Sequence, residues 1–155
     1  MGDFDLVKQA LDRLGLEVIF WKVAIRPGMP TLFGKLGPQL VFALPGNPVA
    51  SMVCFEQFVR PAILKLQGAD RLFRPKQRVT LAQEIRKKTG RRHLMRAQLK
   101  AAQGQYLAAL TGDQGTAILS SMAQAQAILL LPPDRSQFQA GEQVWAYILD
   151  WPPDE

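Results

Sequence analysis

The stretch LVFALPGNPVAS at residues 40–51 decides the fold of this sequence. Its first five residues are apolar, and a short apolar run of this kind predicts a buried β-strand. The proline and glycine that follow end the strand. Asn47 is a common residue at a helix cap, and Pro48 suits the first helical position. Apolar residues then recur at helical spacing to about Leu66, so the stretch predicts the strand–turn–helix unit of an α/β domain.

The residues before this stretch predict one more helix and one more strand. Residues 3–14 place their apolar side chains on one helical face, with Asp3 as the capping residue. Residues 16–25 are rich in β-branched and aromatic types and predict a strand. Two prolines and a glycine at residues 26–30 interrupt regular structure. We therefore expect a helix and then a strand to precede the strand–turn–helix unit.

From about Arg74 the sequence changes to short segments that are typical of β-structure. Glycines separate predicted strands at residues 78–81, 94–100, 106–109, 127–131 and 144–149. Residues 117–122 predict a short helix or turn. This half is expected to form a small, mainly-β domain over residues 74–155, either a barrel or a sandwich.

Length and composition restrict the class of protein. The chain has 155 residues, of which 48% are hydrophobic, and this is enough for a real core. No apolar run reaches the roughly 20 residues that cross a bilayer, and the first residues do not have the pattern of a signal peptide. The single cysteine, Cys54, permits no internal disulfide. Together these features predict a cytoplasmic protein without a membrane partner.

The positive charge of the chain is concentrated in residues 71–100. This segment holds eleven lysines or arginines and one acid, Glu84. It would attract an anion: a nucleic acid, an acidic partner or a phosphorylated small molecule, unless it is only a solvated basic face. Phe73 is the only aromatic residue in the segment, whereas surfaces that stack bases interleave several. The lack of aromatic residues makes nucleic acid the least favoured of these anions, and the charge does not choose among the others.

Three features could carry chemistry, and each also has an ordinary structural interpretation. The turn at residues 45–48 joins a glycine to a helix start, where free N–H groups bind anions. Lys22 and Arg26 are four residues apart and could face the same phosphate or oxyanion from one strand. Asp3 and Asp5 sit at a helix start, where the dipole favours them, but they could also ligate Mg²⁺.

Four motifs in this order and spacing resemble the signature of the MoeA and gephyrin E-domain family of molybdopterin molybdenumtransferases. They are Gly2–Asp5, Lys22–Gly28, Phe33–Leu36 and Leu44–Ser51, and the resemblance extends through residues 58–61, 92–96, 112–116 and 120–121. The resemblance implies that residues 1–68 are the C-terminal part of a molybdopterin-binding, MogA-like α/β domain. It implies that residues 74–155 are the family's small β domain.

The resemblance also implies an activity, which is the insertion of molybdate into adenylylated molybdopterin with Mg²⁺. Asp5, Lys22 and Arg26 match catalytic positions of the family, and Asp3 with Asp5 would hold magnesium. The matched substrate-binding positions are Gly46, Asn47, Arg96, Thr116 and Ser120. The family's Lys-Pro-Gly-Lys-Pro loop is altered here, because Arg26 and Met29 replace its two lysines.

Family members carry a Gly-Gly-Val-Ser segment and two further domains before the position that Met1 occupies here. We therefore expect this chain to be a C-terminal fragment that exposes a strand edge and is inactive alone, whereas the full-length form is a homodimer. Two alternatives remain open. One is a non-catalytic molybdopterin-binding module or split subunit, and the other is nucleic-acid binding through residues 71–100.

Overall fold

The computed structural model describes residues 3–102 and 104–150, with side chains from Leu6 onward. The first part contains α1 (Asp3–Arg13), β1 (Glu17–Trp21), β2 (Ile25–Arg26), β3 (Leu32–Leu36), β4 (Gln39–Ala43), α2 (Pro48–Cys54), a π-helical turn (Phe55–Val59) and α3 (Arg60–Leu66). The second contains β5 (Lys76–Leu81), β6 (Ile85–Arg86), β7 (Arg92–Ala102), β8 (Gln105–Leu110), α4 (Leu119–Ala123), β9 (Ala127–Leu131), β10 (Gln137–Phe138) and β11 (Gln143–Ile148). No helix in these ranges has the length and apolar character that crossing a membrane requires.

A three-stranded antiparallel sheet in the order β1-β3-β4 forms the centre of the first part. Phe20, Phe33 and Phe42 are cross-strand partners on one face, with ring centroids 5.6 Å and 4.6 Å apart. Phe58 packs on this face at 5.8 Å from Phe20, which holds the helical segment against the sheet. The predicted strand at 16–25 is too long. It ends at Trp21 because Lys22 has a φ of 67°, outside the extended range that a strand needs.

The predicted helix from Pro48 to Leu66 is confirmed in extent but is not uniform. Asn47 is the N-cap residue and Pro48 occupies the start, as predicted, although the Asn47 side chain forms no capping hydrogen bond. A π-helical turn precedes Pro61, whose ring and missing N–H disturb a regular α-helix. The helical segment therefore widens for one turn ahead of this proline.

Strand β4 was predicted to be buried, and this is wrong. Its residues after Gln39 are only half-buried, and in the described residues the strand pairs with β3 alone. An apolar groove lies between Val7 and Leu11 of α1 and Val41 and Phe42 of β4. The run is apolar enough for a core, but within the described residues no strand pairs with its free edge, and the groove against α1 stays open.

The second part is a six-stranded sheet in the order β2-β7-β8-β5-β11-β9, which the β7–β9 pairing closes into a barrel. The five predicted strands are present as β5, β7, β8, β9 and β11. The two-residue strands β6 and β10, which pair with each other, were not predicted. The barrel interior is filled with aliphatic side chains and the ring of Phe138, which is 1% exposed.

The two parts meet at a seam formed by Ile25, Val49, Val53, Cys54, Leu94 and Ile128. Strand β2 belongs to the first part by sequence, yet it pairs with β7 of the barrel in parallel, with Ile25 opposite Arg92. Arg74 strengthens the seam because its guanidinium contacts both carboxylate oxygens of Glu56, at 2.9 Å and 3.0 Å. Residues 67–75, which contain the predicted domain boundary, form no helix or strand.

Candidate anion-binding site

Two pockets that share Arg26 and Pro27 open at the seam. The basic pocket has a volume of about 360 Å³ and is lined by charged or imidazole side chains at Arg26, Arg86, Lys87, Lys88, His93 and Arg96. The turn pocket has a volume of about 330 Å³, and its lining includes Arg26, Gly28, Gly46, Asn47, Arg91 and Thr116. Five of the site residues expected from sequence therefore lie in one region: Arg26, Gly46, Asn47, Arg96 and Thr116.

Arg26 lies where the two pockets join. Strand β2 holds it directly opposite His93 of β7 in the parallel ladder. Its side chain is exposed, and the described residues include no salt bridge to it. An exposed guanidinium at this position is free to form paired hydrogen bonds with an oxyanion.

Arg96 is deeply buried, with 1% of its surface exposed. Its guanidinium donates to the carbonyl oxygens of Asp113 (3.4 Å) and Gly115 (3.1 Å) and to Ser121 Oγ (3.2 Å). Burial lowers the pKa of Arg96 from its ordinary value, and the nearby charge of Asp113 opposes this shift. The arginine therefore fastens the 112–116 loop to β7 while one side of it lines the basic pocket.

The same loop closes against the start of helix α2. The backbone N–H of Val49 donates to the carbonyl oxygen of Thr116 at 3.4 Å. The sequence predicted that the N–H groups at this helix start would be free for a ligand, and for Val49 this is wrong, because the barrel loop supplies an acceptor. Ser51 Oγ donates to the carbonyl oxygen of Pro45, so the turn before the helix is also fixed from within.

Two other expected site residues, Lys22 and Ser120, do not line either pocket. The amine of Lys22 lies 4.4 Å from the ring centre of Trp21, the last residue of β1. Ser120 is exposed on α4, whereas its neighbour Ser121 is buried and bonded to Arg96. The side chains of Asp3 and Asp5 lie outside the described residues.

Among the pocket residues that sequence reasoning missed are Lys87, Arg91 and His93. Arg91 Nη1 lies 3.6 Å from Met29 Sδ and restores a cation beside the position where this sequence has Met29 instead of lysine. His93 is 6% exposed. Burial, followed by the charges of Lys87, Arg26 and Arg91, lowers the pKa of His93 to about 4. The signals in the sequence were their position in the basic segment and, for His93, its place in the 92–96 stretch of the family resemblance.

The neutral state of His93 gives a testable pH dependence. The unfolded chain binds a proton at His93 below about pH 6.5, whereas the folded chain binds it only below about pH 4. The unfolded state therefore holds more protons between these values, and stability falls as the pH is lowered from about 6.5 towards 4. The slope approaches at most about 1.4 kcal/mol per pH unit. Chemical denaturation at several pH values measures it.

The control for this prediction is His93→Gln, which should remove this part of the pH dependence. Because His93 is the only histidine, its ring protons can be followed by NMR without an assignment problem. A titration midpoint near the ordinary value of about 6.5 in the folded protein would contradict the prediction.

The fold and the pockets define a class of protein in which an α/β segment is joined to a small β-barrel, with a cation-lined cleft at their junction. Comparisons with known proteins give the same division. Residues 1–65 match the model described as a probable molybdopterin binding domain. Residues 78–149 match the model of the MoeA C-terminal region, domain IV. The chain therefore belongs to the MoeA family.

Relatives and solved structures agree with this assignment. The chain is 36% identical to molybdopterin molybdenumtransferase of Haemophilus influenzae, over 93% of this chain and 36% of the relative. It is 30% identical to the Bacillus subtilis protein of the same name, over 98% of this chain and 37% of the relative. The MoeA crystal structure from Pyrococcus horikoshii superimposes with a TM-score of 0.70 at 25% identity, covering 95% of this chain and 40% of that one. The chain thus spans little more than a third of these curated relatives.

Proposed function

We propose that this chain supplies the oxyanion-binding cleft of a molybdopterin molybdenumtransferase, which inserts molybdate into adenylylated molybdopterin in the cytoplasm. The observation that carries the proposal is the convergence of Arg26, Arg96 and Thr116 with the turn at Gly46 and Asn47. These residues come from both family-matched segments, and only the seam brings them together. The proposal also takes residues 1–68 and 74–155 as the two domains, and the full-length form as a homodimer.

The chemistry expected of this cleft is binding and orientation. Both substrates are anions, so a pocket lined by cations concentrates them before reaction. Arg26 is placed to hold an oxyanion through paired N–H groups, and Arg96 adds a second guanidinium with a fixed direction. Holding two reactants in one geometry lowers the entropic part of the barrier without a covalent intermediate. The described cleft accordingly needs no nucleophile.

The described residues do not fit a magnesium site made by the protein alone. They include no group of three His, Cys, Asp or Glu side chains that could hold a metal ion. Asp113 lines the basic pocket, but its Oδ1 already accepts from the backbone N–H of Gly115 at 2.7 Å. The proposal therefore assigns magnesium to Asp3 and Asp5.

Arg26→Gln tests the proposal. The substitution keeps hydrogen-bonding atoms and removes the charge, so binding of molybdopterin and of molybdate should weaken by about 10- to 100-fold, equivalent to the loss of one charge-assisted contact. Calorimetric titration of the purified chain measures both affinities. Because Arg26 is exposed at its strand end, the thermal midpoint should change little.

Two further variants make this test specific. Arg78→Gln removes an exposed arginine that stacks on Trp145 at 4.9 Å, remote from both pockets, and should bind as the wild type does. Lys22→Gln tests the catalytic role expected from the family resemblance, since the described geometry places Lys22 against Trp21. Unchanged binding in Arg26→Gln would contradict the proposal.

A further inference from the structure

Lys87 is a buried cation that no part of the proposed reaction uses. It follows β6 and begins the turn that leads to β7, and only 9% of its surface is exposed to solvent. Lysine is almost never buried to this extent unless an opposite charge accompanies it. Its side chain lines the basic pocket together with Arg26 and Arg96.

The protein itself gives this ammonium group weak partners. Lys87 Nζ donates to the carbonyl oxygens of Lys88 at 3.3 Å and of Arg91 at 3.5 Å, and both distances are long for such bonds. No salt bridge within the described ranges includes it. Burial lowers the pKa of Lys87, and the more distant charge of Asp134 only partly opposes this shift.

The neighbouring cations of the same turn are in a different situation. Arg86 is exposed and contacts Glu84 at 2.6 Å, so it already has a counter-ion. Lys88 is exposed and therefore solvated. Lys87 is the residue of this group whose charge is both withdrawn from water and without a carboxylate contact. A buried charge in this state is costly unless a ligand compensates it.

We propose that Lys87 is an anion-binding residue of the basic pocket and that its ligand is a tetrahedral oxyanion, either free or as the phosphate group of a larger substrate. The inference rests on the proposed function for the identity of the site. It adds a contact from the turn after β6 to the basic pocket, which Arg26 and Arg96 also line. An oxyanion there would supply the charge that the carbonyl oxygens of Lys88 and Arg91 cannot.

The proposal predicts an unusual combination of effects for Lys87→Met. Methionine fills a similar volume without a charge, so the free protein should become more stable, with a thermal midpoint about 2–4 °C higher. The same variant should bind its anion at least about tenfold more weakly. A lysine with only a structural role would give a lower midpoint on substitution, because its two backbone contacts would be lost.

Thermal unfolding and calorimetric titration of the full chain test this with three probes: molybdate, inorganic phosphate and adenosine monophosphate. Lys87-dependent binding of molybdate and phosphate identifies a free oxyanion as the ligand. Lys87-dependent binding of the nucleotide alone identifies the phosphate of a larger substrate. Lys87→Arg keeps the charge and should retain binding, and Lys100→Met, at an exposed position of β7 outside the basic pocket, is the matched control.

The inference would be overturned if Lys87→Met bound all three probes as the wild type does, or if its thermal midpoint fell. Failure of the wild type to bind any of them would overturn it as well. The proposed function is judged separately, by titration of Arg26→Gln with molybdopterin. If Arg26→Gln loses molybdopterin binding while Lys87→Met binds its anions as the wild type does, the proposed function stands and Lys87 has no part in it.

Discussion

Replacing Gly28 by alanine is expected to lower the free energy of unfolding by about 2–5 kcal/mol, because two penalties act together. Gly28 has a φ of 107°, a conformation that residues with a Cβ rarely adopt. A Cβ at this position would also overlap Cys54 Sγ and would lie 3.0 Å from Ile25 Cδ1. Urea denaturation monitored by circular dichroism measures the change.

A double substitution separates the two penalties. Cys54→Ala removes the sulfur that the new Cβ would meet, so Gly28→Ala should destabilise this background less than the wild type. The remaining loss is the backbone strain, of about 1–3 kcal/mol. Gly141→Ala is the control for strain alone, since its φ is 81° and a Cβ there meets no atom within 4 Å. Additive effects of Gly28→Ala and Cys54→Ala would contradict the steric part of the argument.

The Gly28 prediction also concerns the site, because this glycine sets the position of the β2–β3 loop. Thr31 Oγ donates to the carbonyl oxygen of Gly28 at 2.7 Å and contacts Cys54 Sγ at 3.1 Å. Burial raises the pKa of the Cys54 thiol, which therefore packs as a neutral group at the seam. A shift of this packing would move Arg26, so weaker anion binding should accompany the loss of stability in Gly28→Ala.

Local sequence patterns were sufficient for most of the elements. The predicted strand at 127–131 matches β9, and the helix predicted from Pro48 matches its observed extent, because apolar spacing and proline position are local signals. Strands β6 and β10 have two residues each, which is too short for any periodicity to appear. The burial of β4 was predicted wrongly because burial depends on which elements cover a strand, and this is not a property of the strand's own residues.

The site was only partly predictable for the same reason. Its turn at Gly46 and Asn47 has a recognisable local pattern, whereas the pairing of Arg26 with His93 is a register between segments more than sixty residues apart. In the folded chain, the cations of the basic segment at residues 71–100 lie on different surfaces. Lys76 lies 4.7 Å from the ring centre of Trp145 on the outer barrel surface, while Lys87 faces the pocket. A count of charges along the chain cannot show this division.

Arg96→Met is expected to reduce both stability and anion binding by large amounts. It leaves the carbonyl oxygens of Asp113 and Gly115 and the hydroxyl of Ser121 without their buried donor. Each unsatisfied group of this kind destabilises the fold by about 1–3 kcal/mol, so a total loss of about 3 kcal/mol or more is expected. Binding of molybdate should fall by about 100-fold, because the charge is lost and the 112–116 loop is released.

Two comparison variants separate these roles of Arg96. Ser121→Ala removes one partner and keeps the guanidinium, so stability should fall by about 1 kcal/mol while molybdate still binds. Arg96→Lys keeps the charge but cannot reach three acceptors in the same geometry, so it should lose most of the stability and part of the affinity. Denaturation and titration of the three proteins at one pH provide the comparison. Arg96→Met could instead lose stability and still bind molybdate as tightly as the wild type. Arg96 would then only hold the 112–116 loop in place, and Arg26 with the remaining cations of the pocket would bind the oxyanion.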